Sequence, residues 1–472
     1  MIRRLLSLLI PLLALSLAPP AAAQSPEETR VSAPEPRHLV LCLDGTWNST
    51  YDRKYREDGS SVLKPTNVLK LCRAVLPGGA DQGEQVAYYD TGVGSLAKYP
   101  GTANHLLALA DKALGGAYGA GFEGNIEDAL HFLVFNYREG DEVYVFGFSR
   151  GAATARALTR FLDWSGGLPT KRDAYYLPEL FREYIAVHGT GSSGQAIERI
   201  NARRTSEKRK RPLDPFRRVN VEYLGVWDTV MALGSRFQAK GTSTSTVSKS
   251  FHVDFQPALC VKHARQALAI DEERYDFRPE IWTGHRPEQK LDQRWFAGVH
   301  SNVGGGYPND GLANLAFQWL LDGAVEHGLK VDRDFTAIYS GFAQAQLYRS
   351  GSLLYRILEG LRRRSGNGVR KLYDPDRPPE ANLSLAASVI HRIQADPATP
   401  RFQLGGEPYR PENVLLFLAS QPDLLGYLEG IENLKPKDQC LPKDVLERID
   451  ELRKQTGVTA QPGAPPVPAC QE

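Results

Sequence analysis

EVYVFGFSRGA, residues 142–152, reads as a strand that turns abruptly into a helix. Glu142-Val143-Tyr144-Val145-Phe146 is an apolar, β-rich run, and Gly147-Phe148-Ser149-Arg150-Gly151 follows it directly with the pattern GxSxG. Ala152, Ala153, Ala155 and Ala157 then open a helix predicted over 152–162. Five residues are a short motif, and their setting gives them weight. In a nucleophile elbow the serine occupies a strained strand-to-helix turn, and the flanking glycines leave room for neighbouring backbone. Small residues just after it let the helix pack closely on the sheet. The competing reading is a glycine-rich turn with an incidental serine, and the strand before it and the alanine-rich helix after it count against that.

Working outward, strands and helices alternate. His38 to Leu43 is a continuous apolar run ending in Asp44-Gly45-Thr46, the pattern of a strand buried on both faces. A helix is predicted over 67–75, a strand over 85–89 and helices around 104–114 and 123–138. Later strands are expected at 219–226 and 294–299. This alternation predicts an α/β fold of the α/β-hydrolase-like kind, a mainly parallel central sheet with helices on both faces. Inserted lid-like segments are expected near 170–218 and 235–255.

The 472 residues are 42% hydrophobic and 24% charged, with 57 basic and 55 acidic side chains and a net charge of +2. That balance excludes a dedicated nucleic-acid binder. Met1-Ile2-Arg3-Arg4, the apolar stretch from Leu5 to Leu17 and Pro19-Pro20-Ala21-Ala22-Ala23 read as a signal peptide over 1–23, cleaved after Ala23. The apolar stretch falls short of the roughly 20 residues that span a bilayer. A periplasmic or extracellular protein is expected, with a linker over 24–37, a catalytic domain over 38–418, a helical segment over 419–456 and a disordered tail over 457–472. Export permits disulfides. Five cysteines leave at least one without a partner in the chain; Cys42 reads as a buried thiol, and Cys440 and Cys470 are near enough in sequence to pair. No cysteine or histidine spacing matches a zinc site, so neither metal nor cofactor is expected. The basic run with Arg203-Arg204 and Lys208-Arg209-Lys210-Arg211 reads first as a solvated insertion, and second as a contact for anionic membrane.

A serine hydroxyl needs a base, and the base needs an orienting carboxylate. In this fold they follow in the order Ser, Asp or Glu, His. The strand-like run Val221 to Trp227 leads to Asp228, and Trp295-Phe296-Ala297-Gly298-Val299 leads to His300 and a loop with Gly304-Gly305-Gly306. Ser149, Asp228 and His300 are therefore the candidate triad. His391 is the rival base, set in a helical segment. The oxyanion donors expected are the amide of Arg150 and that of Gly45 or Thr46. Gly115 to Gly121 does not give GxGxxG and follows no strand, so a nucleotide site is excluded.

The set LCLDGTWN (41–48), YYDTGVGS (88–95), VFGFSRGA (145–152), VWDTV (226–230) and WFAGVHSNVGGGY (295–307) resembles the α/β-hydrolase domain shared with phospholipase effectors of type VI secretion. Ser388 to Arg392 and Tyr409 to Asn413 resemble that family's closing region. The resemblance implies a Ser149–Asp228–His300 triad and hydrolysis of small-molecule or lipid esters. One departure is Asn302, where the family often has Asp; another is that no large membrane-associating part is visible. The alternative from a different class is a hydrolase-like binding protein of the cell envelope without catalysis, against which the presence of all three residues counts.

Overall fold

The computed structural model describes residues 36–45, 53–55, 60–79, 83–92, 118–187, 191–206, 211–231, 256–274, 277–350, 369–395 and 407–470. The expected signal peptide, the helix around 104–114, Thr46, Lys208 to Lys210 and the whole 235–255 insertion lie outside them.

Ten strands are described: β1 (His38–Leu43), β2 (Arg53–Tyr55), β3 (Ser61–Leu63), β4 (Gly78–Gly79), β5 (Gly83–Asp90), β6 (Glu142–Phe148), β7 (Asn220–Trp227), β8 (Val261–Ala269), β9 (Lys290–Phe296) and β10 (Leu383–Leu385). Eight form one sheet in the order β10-β9-β8-β7-β6-β1-β5-β4. The seven from β10 to β5 are parallel, and β4 is an antiparallel edge. Helices used below are α1 (Asn67–Ala74), α2 (Tyr118–Asn136), α3 (Arg150–Ser165), α4 (His300–Gly304), α5 (Gly311–Glu326) and α6 (Ala387–Gln394).

Alternate residues of a strand face opposite sides, and β1 shows the consequence. Leu39, Leu41 and Leu43 pack with Val143, Val145 and Leu224 beneath α2 and α3. Val40 and Cys42 pack with Tyr144, Phe146 and Trp227 beneath α5. Both faces are covered, which is why a run without polar interruptions was needed.

The order places the functional region. From β1 the chain moves one way to β5, then crosses back to β6 on the other side of β1 and continues outward through β7 to β10. The connections from β1 and β6 therefore run to opposite sides, which makes their carboxyl ends a topological switch point, the usual ligand position in an open parallel sheet. Ser149 follows β6 at this point.

Of the seven parallel strands, two escaped the sequence reading. β8 carries Lys262, His263, Arg265 and Gln266, too polar a set to read as a central strand. Its buried Gln266 is satisfied by Gln293 of β9 at 2.9 Å and by the carbonyl of Glu280. β10 is only three residues long. The tail expected to be disordered is instead held through residue 470: Leu441 pairs with Ala469, and Cys440 is joined to Cys470. Proline and glycine there break helix and strand periodicity, but the disulfide and a few backbone bonds fix the path without either. In the insertion near 170–218, Arg199 pairs with Glu183, Arg203 with Glu179, and Arg211 with Asp173 and Asp214. These arginines answer acids of the same insertion. No helix among the described residues is long and apolar enough to cross a membrane.

The Cys440–Cys470 link closes a 30-residue separation, for which chain entropy gives roughly 3–4 kcal/mol of stabilisation. The double variant Cys440→Ser/Cys470→Ser should lose about that much in denaturant unfolding; an unchanged midpoint under non-reducing conditions would contradict it.

Candidate active site

Ser149 sits at φ 59°, ψ −122° between β6 and α3. A non-glycine residue rarely occupies this region, and it persists only where its surroundings enforce it. The enforcement is visible. The Ser149 amide donates to the Trp227 carbonyl at 3.0 Å, and its own carbonyl accepts from Ala153 at 3.3 Å and Val230 at 3.4 Å. A Cβ on Gly147 would lie 2.5 Å from the Gly151 carbonyl oxygen, and one on Gly151 would lie 2.1 Å from that of Leu43. Both glycines are thus required by close backbone approach. The Ser149 hydroxyl makes no capping bond to α3, so the side chain is not consumed by the helix it precedes.

Asp228 follows β7 and is fully buried, and it too has positive φ, 43°. Its Oδ2 lies 2.6 Å from Nδ1 of His300, which begins α4 after β9. Its Oδ1 accepts the Ala269 amide at 3.0 Å. Arg370 then clasps both oxygens, Nη1 to Oδ1 at 2.5 Å and Nη2 to Oδ2 at 2.9 Å, and donates further to the Ala269 and Phe277 carbonyls. Burial by itself would raise the Asp228 pKa; the Arg370 charge and the His300 bond outweigh it and hold the carboxyl well below the usual range.

The imidazole of His300 is enclosed by Phe148, with ring centroids 4.6 Å apart, and by the edge-on ring of Phe277 at 5.0 Å. Its backbone amide donates to Glu272 at 3.2 Å, and Glu272 is itself held by Arg274 and the Ser350 hydroxyl. Burial lowers the His300 pKa against the raising effect of Asp228. That shift favours the neutral ring. With Nδ1–H directed to the carboxylate, Nε2 is left as the basic nitrogen.

The chain thus joins Asp228 and His300 directly and brings Ser149 to the same rim through Phe148, the residue before it. Among the described residues no hydrogen bond joins the Ser149 hydroxyl to the imidazole; such bonds are commonly long in uncomplexed sites and tighten with substrate. His391 lies elsewhere, on α6, with Nε2 3.5 Å from Asp438. Arg150 begins α3, so its amide lies in the first turn, where helix amides address anions. The Gly45 amide donates to Asp44 Oδ1 at 2.6 Å, and Asp44 also accepts from the hydroxyls of Thr66 and Tyr89. Gly45 is therefore already engaged, a departure from the role expected for it. Asn302 is buried: Oδ1 accepts from Val299 at 3.3 Å and Tyr348 at 3.2 Å, while Nδ2 donates to the Gln346 carbonyl. An aspartate could not make that last donation. Arg370 and Glu272 were missed in the sequence; nothing local marks Arg370, whose partner is 142 positions away.

Residues 37–323, which contain Ser149, Asp228 and His300 but not Arg370, match the family model described as T6SS, phospholipase effector Tle1-like, catalytic domain. The uncharacterized protein YEL023C of Saccharomyces cerevisiae is 25% identical over 255 residues, 52% of this chain and 33% of that protein. The chain thus spans about a third of that curated relative's length. Among solved structures, an uncharacterized protein from Pseudomonas aeruginosa aligns with a TM-score of 0.38 at 16% identity, covering 94% of this chain and 65% of the other. The Tle1 effector bound to the VgrG spike of the type 6 secretion system aligns with a TM-score of 0.36 at 16% identity, covering 81% and 92%.

Because Arg370 offsets the Asp228 charge, removing it should stabilise the imidazolium. Ring-proton NMR should place the His300 midpoint below the ordinary value of about 6.5, and Arg370→Met should move it upward while Arg370→Lys moves it less. A midpoint indifferent to both substitutions would contradict this electrostatic reading.

Proposed function

Since the chain belongs to the family of Tle1-like phospholipase effector catalytic domains, we propose that it is an exported serine hydrolase that cleaves carboxylic esters of lipids through Ser149, His300 and Asp228. The observation that carries this reading is the strained Ser149 elbow on the rim where His300 is bonded to a buried carboxylate.

In the proposed reaction His300 Nε2 takes the Ser149 proton as Oγ attacks the ester carbonyl carbon. Charge passes to the carbonyl oxygen, which the Arg150 amide stabilises together with a second donor from the segment after β1, where Thr46 is the remaining candidate. Collapse breaks the bond to the alcohol, which leaves with the proton from His300. A water deprotonated by the same nitrogen then attacks the acyl-serine, releases the acid and restores the serine proton. Asp228 keeps the imidazole in the tautomer that leaves Nε2 basic and stabilises the transient imidazolium. Neither step calls for a redox cofactor.

A lipid ester fits a family of phospholipase effectors, and residues 1–23 fit export. The basic insertion is not assigned a membrane role, since its Arg199, Arg203 and Arg211 are paired with acids of the insertion itself.

On aryl esters of graded chain length and on phospholipid vesicles, Ser149→Ala should lose turnover by several orders of magnitude and Asp228→Asn by roughly 10⁴. Circular dichroism should remain native for both, and His391→Ala should stay close to the unaltered protein. Retained turnover by pure Ser149→Ala would overturn the assignment.

A further inference from the structure

A second cluster of ligating side chains lies toward the opposite rim of the sheet, near the amino ends of β7 and β8. Pairing between β6 and β7 slips there by one residue: Val143 faces Val221 and Tyr144 faces Tyr223, leaving Glu222 as the extra residue. A bulge of this kind re-aims a side chain that regular pleating would send elsewhere. Here it brings Glu222 together with His263 of β8 and His327, the residue that closes α5. A carboxylate oxygen of Glu222 and one ring nitrogen from each histidine lie within 4.8 Å of one another. Glu222 Oε1 is 3.7 Å from His263 Nε2, and the two imidazoles stack with centroids 3.5 Å apart at 14°.

We propose that Glu222, His263 and His327 bind one divalent transition-metal ion of the zinc class. Two imidazole nitrogens and one carboxylate oxygen are a recognised zinc donor set that leaves a fourth position for water. Nδ1 of His263 is buried without a hydrogen-bond partner, so the protein leaves this ring poorly satisfied. Burial, and for His263 the neighbouring ring, lowers both imidazole pKa values. Metal–nitrogen bonds of about 2.0–2.1 Å call for a contraction of about an ångström and a turn of one stacked ring. His327 can supply the turn: the Tyr144 hydroxyl holds its carbonyl at 2.5 Å, and its side chain is at a helix end.

The surroundings set the strength. Lys262 is bonded to Glu222 Oε2 at 2.5 Å, orienting the carboxylate while contributing positive charge. Arg265 and Lys290 add to that charge, and Glu326 opposes it. Affinity should therefore fall short of an all-thiolate structural site. The side chains of His263 and Glu222 are 17% and 12% exposed, enough for an ion to enter. Asp228 is six residues further along β7, about 20 Å away at strand rise. An ion here would tie β7, β8 and α5 together without touching the ester chemistry. No sequence motif announces it, since the ligands stand 41 and 64 residues apart (222 to 263, 263 to 327).

The test uses tag-free full-length protein, stripped with chelator and titrated with zinc chloride by calorimetry, with the thermal midpoint as a second readout. The expected result is one saturable site in the micromolar range and a midpoint that rises with zinc. His327→Ala and Glu222→Gln should each weaken binding by at least tenfold, in line with the 10- to 100-fold cost of disturbing even outer-shell partners. His391→Ala should bind as the unaltered protein does. His327 lies at a helix end, so its variant remains informative should His263→Ala fail to fold. Absence of saturable micromolar binding, or equal binding by His327→Ala and Glu222→Gln, would overturn the proposal.

Discussion

The carboxylate of Asp228 is wholly shielded from water, and the arrangement at the sheet's carboxyl rim follows from satisfying it. A buried charge is costly unless it is both paired and hydrogen-bonded. Asp228 meets that requirement four times over, through two Arg370 nitrogens, the Ala269 amide and His300. These partners come from segments that are distant in sequence, so one side chain sets the relative positions of the β7, β8 and β9 ends. This carboxylate is thereby shared between a permanent cation and the imidazole. Burial lowers the pKa of the His300 ring against the pull of that carboxylate.

The sheet order makes this convergence possible. With β7, β8 and β9 adjacent and parallel, the turns after all three strands emerge on one edge, beside the elbow that follows β6. Phe148 completes the link, since it ends β6 and packs against the His300 ring. Gly304 is confined by the same aromatic side chain: a Cβ there would lie 1.9 Å from the Phe148 ring. The glycine loop after His300 therefore serves packing of this ring at least as much as backbone freedom.

Much of this was legible in the sequence, and for identifiable reasons. β1 and β6 are unbroken apolar runs because both sheet faces are covered, and a strand of that kind announces itself. Ser149, Asp228 and His300 were visible because each follows such a run at a turn. What stayed hidden was long-range and polar. β8 is a central strand whose Gln266 is satisfied by Gln293, so its polar pattern gave no strand signal. Arg370 carries no local signal. The role of Asn302 depends on donating to Gln346, which no neighbouring residue reveals. The Glu222–His263–His327 cluster depends on a one-residue slip in strand register, a feature that composition and spacing do not encode.

The central claim is that Ser149 is an activated nucleophile, and activation can be read directly by covalent chemistry. A fluorophosphonate reacts with an activated serine hydroxyl, forming an oxygen–phosphorus bond and releasing fluoride. Peptide mass spectrometry after labelling should place the adduct on Ser149, and His300→Ala should suppress it in folded protein. Labelling that bypasses Ser149, or that proceeds unchanged in His300→Ala, would contradict the account.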